Sequence, residues 1–301
     1  MELTQLIQKK IPAEYLSLIE KVRGLADKNN QGAALVGGIV RDLILDRNIL
    51  DVDVVLEPPA EPLVKTLAET LKAKIVSHEK FLTFTLHVGT QSRLDIATAR
   101  EESYPEPGKL PVVRPSDLGN DLKRRDFSIN AIAVWLNKNK FGTLLDPFSG
   151  VSDIKKKIIR VLHDKSFEDD PTRIFRAARF AGRFGFLLDN KTERLLFKAI
   201  AEKRPALLSP VRLRHEFELI LKEENPLESL RLLDKWRALY FIHPEWVLLL
   251  EHIETMGKIS DSKNRLVDRL KIWFKPWGTE KAAEMMKALA FEKEVKRKVI
   301  G

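Results

Sequence analysis

Cysteine is missing from the 301-residue sequence, which excludes disulfides, thiolate zinc sites and a cysteine nucleophile together. Long apolar runs are missing too. Stretches such as "WVLLL" at Trp246–Leu250 fall far short of the roughly 20 residues that a membrane-spanning helix needs. The opening "MELTQLIQKK" has no apolar signal-peptide core. These absences predict a soluble, cytoplasmic protein. There is no P-loop, internal repeat or low-complexity tract. The six histidines show neither metal-ligand spacing nor a serine-nucleophile partner, and His163-Asp164 stands isolated.

The charge that is present leans basic. Lys and Arg number 52 against 43 Asp and Glu, a net charge of +9, which suits a phosphate-bearing partner. Hydrophobic residues make up 44%, ample for a core, and the length predicts two or more packed units. From Ala33 to about Leu162, short β-rich runs ("AALV", "VDVVL", "KIVSH", "LTFTLHV", "RLDIATA", "IAVWL", "TLLD", "IIRVL") alternate with helical segments. After about Lys165 apolar residues recur every three or four positions, which predicts an all-helical second half. The fold class is therefore α+β. Within the first half, "EESYPEPGKLPVVRPSDL" (Glu101–Leu118) carries four prolines and a glycine and reads as a long loop.

Two acids in "ILDVDVV" stand out. Asp51 and Asp53 are two apart on a presumed strand, so they project to one face. Their mutual repulsion is a cost that a divalent cation would offset, although an isolated Asp-X-Asp also reads as an exposed strand edge. Asp95, in "RLDIATA", is an acid in a β-rich run and needs exposure or a cation partner. If the strands are neighbours, Asp51, Asp53 and Asp95 make an oxygen-rich site for two Mg²⁺ ions, the machinery of nucleotidyl transfer. Gly37-Gly38 precede this between a short strand and a helix.

Arginines dominate the remaining signals. Arg124 and Arg125 beside Asp126 fit either an ion-paired helix entry or guanidinium contact with a triphosphate. In "FEDDPTRIFRAARFAGRFGF" (Phe167–Phe186), Asp170 and Pro171 suit an N-cap and first-turn proline. Ile174, Ala177, Ala178 and Ala181 form a packing face, and Arg173, Arg176, Arg179 and Arg183 a basic stripe. A solvated basic face explains such a stripe. Hydrogen-bond arithmetic offers a sharper reading. Cytosine and adenine present an amine donor beside a ring-nitrogen acceptor, so Asp170 accepting and Arg173 donating would match them and mismatch uracil and guanine.

Six stretches in order, "GGIVRD" (Gly37–Asp42), "DVD" (Asp51–Asp53), "LDIATAR" (Leu94–Arg100), "DLKRRDFSINAIA" (Asp121–Ala133), "DDPTRIFRAARF" (Asp169–Phe180) and "RLRHEFELIL" (Arg212–Leu221), resemble the class II tRNA nucleotidyltransferase and poly(A) polymerase family of the DNA polymerase β-like superfamily. The resemblance implies a nucleotidyltransferase head over 1–162, a helical neck over 163–225 that binds the base, and a helical RNA-binding body over 226–301. It implies Mg²⁺ at Asp51 and Asp53, with Asp95 as a third catalytic acid. Nucleotide binding falls to Gly37, Gly38, Arg41, Arg124, Arg125, Asp126, Asn130, Asp170, Arg173, Arg176 and Arg179, and support of the neck to Asp169, Arg212 and Glu216. Its partners would be tRNA and ATP or CTP. "HEKFLTFTLHV" is closer to the tRNA enzymes than to the poly(A) polymerases, which remain the alternative, with a catalytically silent RNA-binding relative as another. Departures are Asp169 where Glu is usual, Ser128 for Thr and Asp46 for Gly. The chain also ends earlier than many members, as if the tail were absent or truncated.

Overall fold

The computed structural model describes residues 3–49, 51–89, 92–243, 250–259 and 264–301. Trp246–Leu249 of the short apolar run lie outside them. The chain divides into two compact units, the first comprising Met1–Pro105, Pro111–Lys156 and Arg160–Leu162, the second the remainder. No helix among the described residues is long and apolar enough to cross a membrane.

The first unit is built on a seven-stranded sheet. Its strands are β1 (Ala33–Val36), β2 (Asp53–Leu56), β3 (Lys74–His78), β4 (Thr83–Val88), β5 (Ser92–Thr98), β8 (Ala133–Trp135) and β9 (Leu144–Leu145), in the order β3-β4-β5-β2-β1-β8-β9. Each corresponds to one of the β-rich runs. All neighbours are antiparallel except β2 and β5, which run parallel with Asp53 opposite Asp95. Helices α1 (Thr4–Lys10), α2 (Ala13–Lys28), α3 (Gly38–Ile44), α4 (Glu61–Leu71), α5 (Leu118–Lys123) and α6 (Gly150–Lys156) belong to the same unit. Central strand β1 is buried along its whole length, so it reads as an unbroken apolar run rather than an alternation. Ala34, Val36 and Val55 pack with Leu118 and Leu122 in one core cluster.

The proline-rich stretch is not simply a loop. β6 (Arg100–Ser103) and β7 (Val112–Pro115) pair antiparallel in a two-stranded ribbon. Pro115 sits at a ribbon end, where the missing N–H breaks no ladder, and the other three prolines fall outside the paired segments. The second half is likewise not purely helical. β10 (Ile158–Ile159) leaves the main sheet and pairs parallel with β11 (Leu187–Leu188) in the second unit. Two-residue strands are too short to show a period.

The second unit otherwise consists of α7 (Ser166–Asp169), α8 (Thr172–Phe184), α9 (Asn190–Ala201), α10 (Pro210–Lys222), α11 (Leu227–Lys235), α12 (Leu250–Gly257), α13 (Arg265–Phe274), α14 (Gly278–Ala288) and α15 (Lys293–Ile300). The apolar face of α8 is buried as its spacing requires: Ile174, Ala177, Ala178 and Ala181, joined by Phe175. At Gly182 a Cβ would stand 2.6 Å from the Ser229 nitrogen, so only glycine lets α8 and α11 approach this closely. Helix α8 starts at Thr172, with Pro171 at the N-cap. This is one residue later than the Asp-Pro signal suggests, because Asp170 closes α7 in an extended conformation.

One buried cation organises the end of this unit. Arg269 is fully buried and donates to the carbonyls of Met256, Leu221, Glu223, Glu224 and Ile259. These lie at and just beyond the C-terminal ends of α10 and α12, where carbonyls lack helical donors. Arg269→Lys cannot serve five acceptors with one ammonium, and should cost about 2–4 kcal/mol, measurable as a lower urea midpoint with an unchanged slope.

Candidate functional site

The first cluster gathers where β1 ends and β2 begins. Gly37 turns the chain from β1 into α3 with φ 71°, in the left-handed region that favours glycine. A Cβ there would also collide with the Arg125 guanidinium, 2.5 Å away. Asp51 precedes β2 and Asp53 opens it. Both are exposed while Val52 and Val54 are buried, so the two acids share a face as their spacing requires, although Asp51 itself lies outside the ladder. The parallel register then sets Asp95 opposite Asp53.

This placement weighs on Asp53. Asp53 keeps accessible surface but is set among protein atoms. That desolvation first, then the Asp95 and Asp51 charges, push it up to about 6, with Arg125 and Arg93 opposing. Asp95 is matched to a cation: Arg93 approaches its Oδ2 at 2.8 Å, and Thr85 Oγ1 donates to its Oδ1 at 2.6 Å. Arg93 was legible in principle, being two residues away on the same strand face. Thr85 was not, since only the β4–β5 register supplies it. Among the described residues no three acidic or histidine side chains form a closed metal cage. The acids present still fit a hard cation, because Mg²⁺ takes oxygen ligands and commonly uses one or two carboxylates, leaving the rest to water and substrate phosphates.

Around the glycine turn the predicted nucleotide-binding residues interlock. Arg41, only 4% exposed, pairs with Asp42 at 2.9 Å and donates to Asn130 Oδ1 at 2.5 Å. Asn130 in turn donates to Asp126 at 3.0 Å. Arg124 and Arg125 part company. Both pair with the fully buried Asp121, each at 2.8 Å. Arg125 then reaches under the Gly37 turn, while Arg124 turns inward to Glu102 at 2.9 Å. Burial would raise the Asp121 pKa, but the two guanidiniums outweigh it and the net shift is downward. Asp121, three and four positions before the two arginines, fits the ion-paired helix entry, whereas Glu102 escaped notice because it lies 22 positions from Arg124.

A second cluster lies in the second unit. Asp170 accepts at a single oxygen, Oδ1, from the Thr172 N–H (3.1 Å), Thr172 Oγ1 (2.6 Å) and Arg212 Nη2 (2.7 Å). Among the described residues no donor reaches Oδ2. Arg212 also donates to the Gly108 carbonyl at 2.6 Å. The arginine stripe is not a solvated face: Arg176, Arg179 and Arg183 are half-buried and Arg173 is 3% exposed. Arg176 and Arg179 lie over the Phe180 ring, and Arg179 and Arg183 pair with Glu223. Arg173 Nη1 donates to Ser166 Oγ at 2.7 Å. With so little of Arg173 open, contact with a base requires its surroundings to part, whereas Asp170 is already accessible. Glu216 is buried, its Oε2 has no hydrogen-bond partner, and desolvation raises its pKa against the pull of Arg176 and Arg179.

A sheet-borne acid pair beside a glycine turn, followed by helices carrying arginines, defines the class of nucleotidyltransferase heads with a helical extension. Residues 33–160 match the family model described as the poly A polymerase head domain. The chain is 45% identical to an A-adding tRNA nucleotidyltransferase of Aquifex aeolicus over 69% of its own length and 25% of that protein. A second A-adding tRNA nucleotidyltransferase, from Geobacter sulfurreducens, is 36% identical over 86% of this chain and 29% of the relative. A solved Thermotoga maritima CCA-adding enzyme complexed with tRNA superposes with a TM-score of 0.81 at 33% identity, over 99% of this chain and 71% of that one. The chain belongs to the tRNA nucleotidyltransferase and poly(A) polymerase family. It spans less than a third of the length of these two curated relatives.

The raised Asp53 pKa carries a sign. A carboxylate lifted from 3.8 to about 6 binds its proton more tightly in the folded state, so its unfavourable charge is absent in acid and appears as pH rises through about 6. In metal-free protein, Asp53→Asn should therefore raise the melting temperature at pH 7.5 and leave it unchanged below pH 4. Solvent screening at this exposed residue holds the gain to about 1 kcal/mol, or about 2–4 °C, readable by calorimetry.

Proposed function

We propose that this chain is a template-independent tRNA nucleotidyltransferase that adds C, A or both from CTP or ATP to a tRNA 3′ end and releases pyrophosphate. The observation that carries this reading is the Asp51–Asp53 face set in register with Asp95, beside the Arg125-braced Gly37 turn. Names of the relatives support the substrate class.

Asp51 and Asp53 would hold Mg²⁺, with Asp95 as the neighbouring acid held in orientation by Arg93 and Thr85. When bound, the ions lower the pKa of the attacking hydroxyl and neutralise charge on the transferring phosphoryl group. The residues of the chain do the rest. Gly37 and Gly38 let the backbone at the start of α3 approach phosphate oxygens, while Arg41, Asn130 and Asp126 brace that turn. Arg125 offers its guanidinium to the triphosphate from beneath it, and Arg124 secures its neighbour through Asp121. The tRNA 3′-hydroxyl attacks the α-phosphorus in line, its proton leaves to solvent, and the pyrophosphate oxygens depart toward the basic side chains.

In the neck, Asp170 is anchored through Oδ1 and presents Oδ2 to the exocyclic amine of cytosine or adenine, with Arg173 as donor to the ring nitrogen. Arg176 and Arg179, further along the same helix, would offer their charge to the nucleotide's phosphates. Asp169, Arg212 and Glu216 support this arrangement, Arg212 most directly through its bond to Asp170. One carboxylate and one guanidinium fit both C and A, so the order of addition rests on pocket geometry. A poly(A) polymerase would use the same head; extended adenylation of unrelated RNA would favour it. A silent relative would bind RNA without turnover.

With tRNAs ending before C-C-A, after C and after C-C, and each nucleotide supplied separately, only C and A should be incorporated, for at most two additions with CTP and one with ATP. Asp51→Ala and Asp53→Ala should each reduce incorporation by a factor on the order of 10²–10³ or more, with RNA binding retained in a gel-shift assay.

A further inference from the structure

Beside the acids the sheet carries a second row, of basic side chains. Residues directly opposite on paired strands share a face, and so do residues two apart on one strand. The β3–β4 and β4–β5 registers set Lys74 opposite His87, and His87 opposite Arg93. All three are exposed. Arg93 is two residues from Asp95 on β5, so the row shares the face of Asp53 and Asp95, about 7 Å further along the strands and about 10 Å across from β5 to β3. The opposite face, with Leu86, Leu94 and Ile96, is buried.

The row begins with an anchored guanidinium. Arg93 donates from Nε to Asp95 Oδ1 at 3.2 Å and pairs through Nη2 with Oδ2 at 2.8 Å, which fixes the plane of its fork. Its side chain is still 59% exposed, and among the described residues nothing takes the Nη1 donors. Lys74 and His87 have no acidic partner among the described residues. An exposed basic row of this kind attracts an anion.

Strand order decides which anion. β2, which opens with Asp53, lies between β1 and β5. The Gly37 turn and Arg125, read above as the triphosphate side, stand at the end of β1, whereas the basic row starts on β5 and leads away from it. In-line transfer puts the attacking and leaving oxygens on opposite sides of the phosphorus. With pyrophosphate leaving on the β1 side, the RNA 3′-hydroxyl comes from the β5 side.

We propose that Arg93, His87 and Lys74 form the track for the RNA strand: they contact the last phosphodiester groups before the attacking 3′-hydroxyl, with Arg93 nearest the acids. The inference rests on the nucleotidyl-transfer reading of those acids. Arg93 then has two tasks, contact with RNA and orientation of Asp95.

The test is equilibrium binding of the full chain, across a range of salt, to a tRNA ending in C-C whose last residue lacks its 3′-hydroxyl and so cannot be extended. A second tRNA carries a neutral methylphosphonate at its last linkage, and CTP and ATP are bound separately with Mg²⁺. The variants are Arg93→Ala, His87→Ala and Lys74→Glu, with circular dichroism to confirm folding. Arg93→Ala and Lys74→Glu should each weaken RNA binding by about tenfold, the scale of one hydrogen bond to a charged group, and His87→Ala by less. Arg93→Ala should also lower the salt slope by about 0.7, the value of one single-strand phosphate contact. Nucleotide affinities should stay at wild type. The methylphosphonate should weaken binding to wild type and leave Arg93→Ala indifferent.

If all three variants bind RNA as wild type does, the inference falls. It falls equally if they lose nucleotide rather than RNA, which would turn the row toward the triphosphate, or if the methylphosphonate weakens wild type and Arg93→Ala alike. None of these readings needs turnover. A chain that binds RNA on this row yet incorporates neither C nor A would therefore overturn the proposed activity and leave the track standing. Should Arg93→Ala not fold, Lys74→Glu and His87→Ala decide, since neither residue touches the acids.

Discussion

The repulsion between carboxylates at the start of β2 is the constraint around which the first unit is arranged. Parallel pairing of β2 and β5 forces Asp53 opposite Asp95, and Asp51 stands on the same face. A fold selected for stability alone would not place three acids there, because the Asp95 and Asp51 charges add to desolvation in opposing the ionisation of Asp53. The surrounding architecture both tolerates the repulsion and limits it. Arg93 and Thr85 take up Asp95, and Arg125 lies close enough to pull the Asp53 pKa back down; desolvation first, then the Asp95 and Asp51 charges, leave it at about 6. The unfavourable charge is the property that makes the site receptive to a cation and a polyphosphate.

Arg125 links the acids to the glycine turn. Its guanidinium occupies the space beside Gly37 that a side chain would need, so any other residue would meet the strain of the positive φ and displace the Arg125 tip. Asp121 supplies the counter-charge from the buried side. It is shared by Arg124 and Arg125, and a buried acid with two guanidiniums is well compensated where one with a single partner is costly. In the second unit an acid is again held by donors: Asp170 accepts from Thr172 and Arg212 at one oxygen, and the buried Arg173 donates to Ser166.

The α+β architecture was legible because the strands are short β-rich runs, some of them alternating as β5 does, and because α8 and the helices after it repeat apolar residues at helical spacing. The packing face of α8 followed from the same period. What escaped had a physical reason. The β6–β7 ribbon was hidden by prolines that fall mainly outside its paired residues, and β10 and β11 are too short for periodicity. The acid pair and its shared face followed from i, i+2 spacing, and the alignment with Asp95 followed once the strands were taken as neighbours. Partners distant in sequence left no trace: Arg212 reaches Asp170 across 42 positions, and Glu102 reaches Arg124 across 22. The arginine stripe misled in one respect, since helical spacing reports direction and not depth, and Arg173 points into the protein.

The account depends most on the acids at β2 and β5 being electrostatically coupled in the absence of a ligand and relieved by one. Site-specific carboxyl ¹³C NMR titration of Asp53 measures this directly. In the metal-free protein the resonance should titrate near 6, and with Mg²⁺ and a non-reactive nucleotide analogue it should move below the ordinary carboxylate value of 3.8. An ordinary value in the free protein that is indifferent to Mg²⁺ and nucleotide would contradict it.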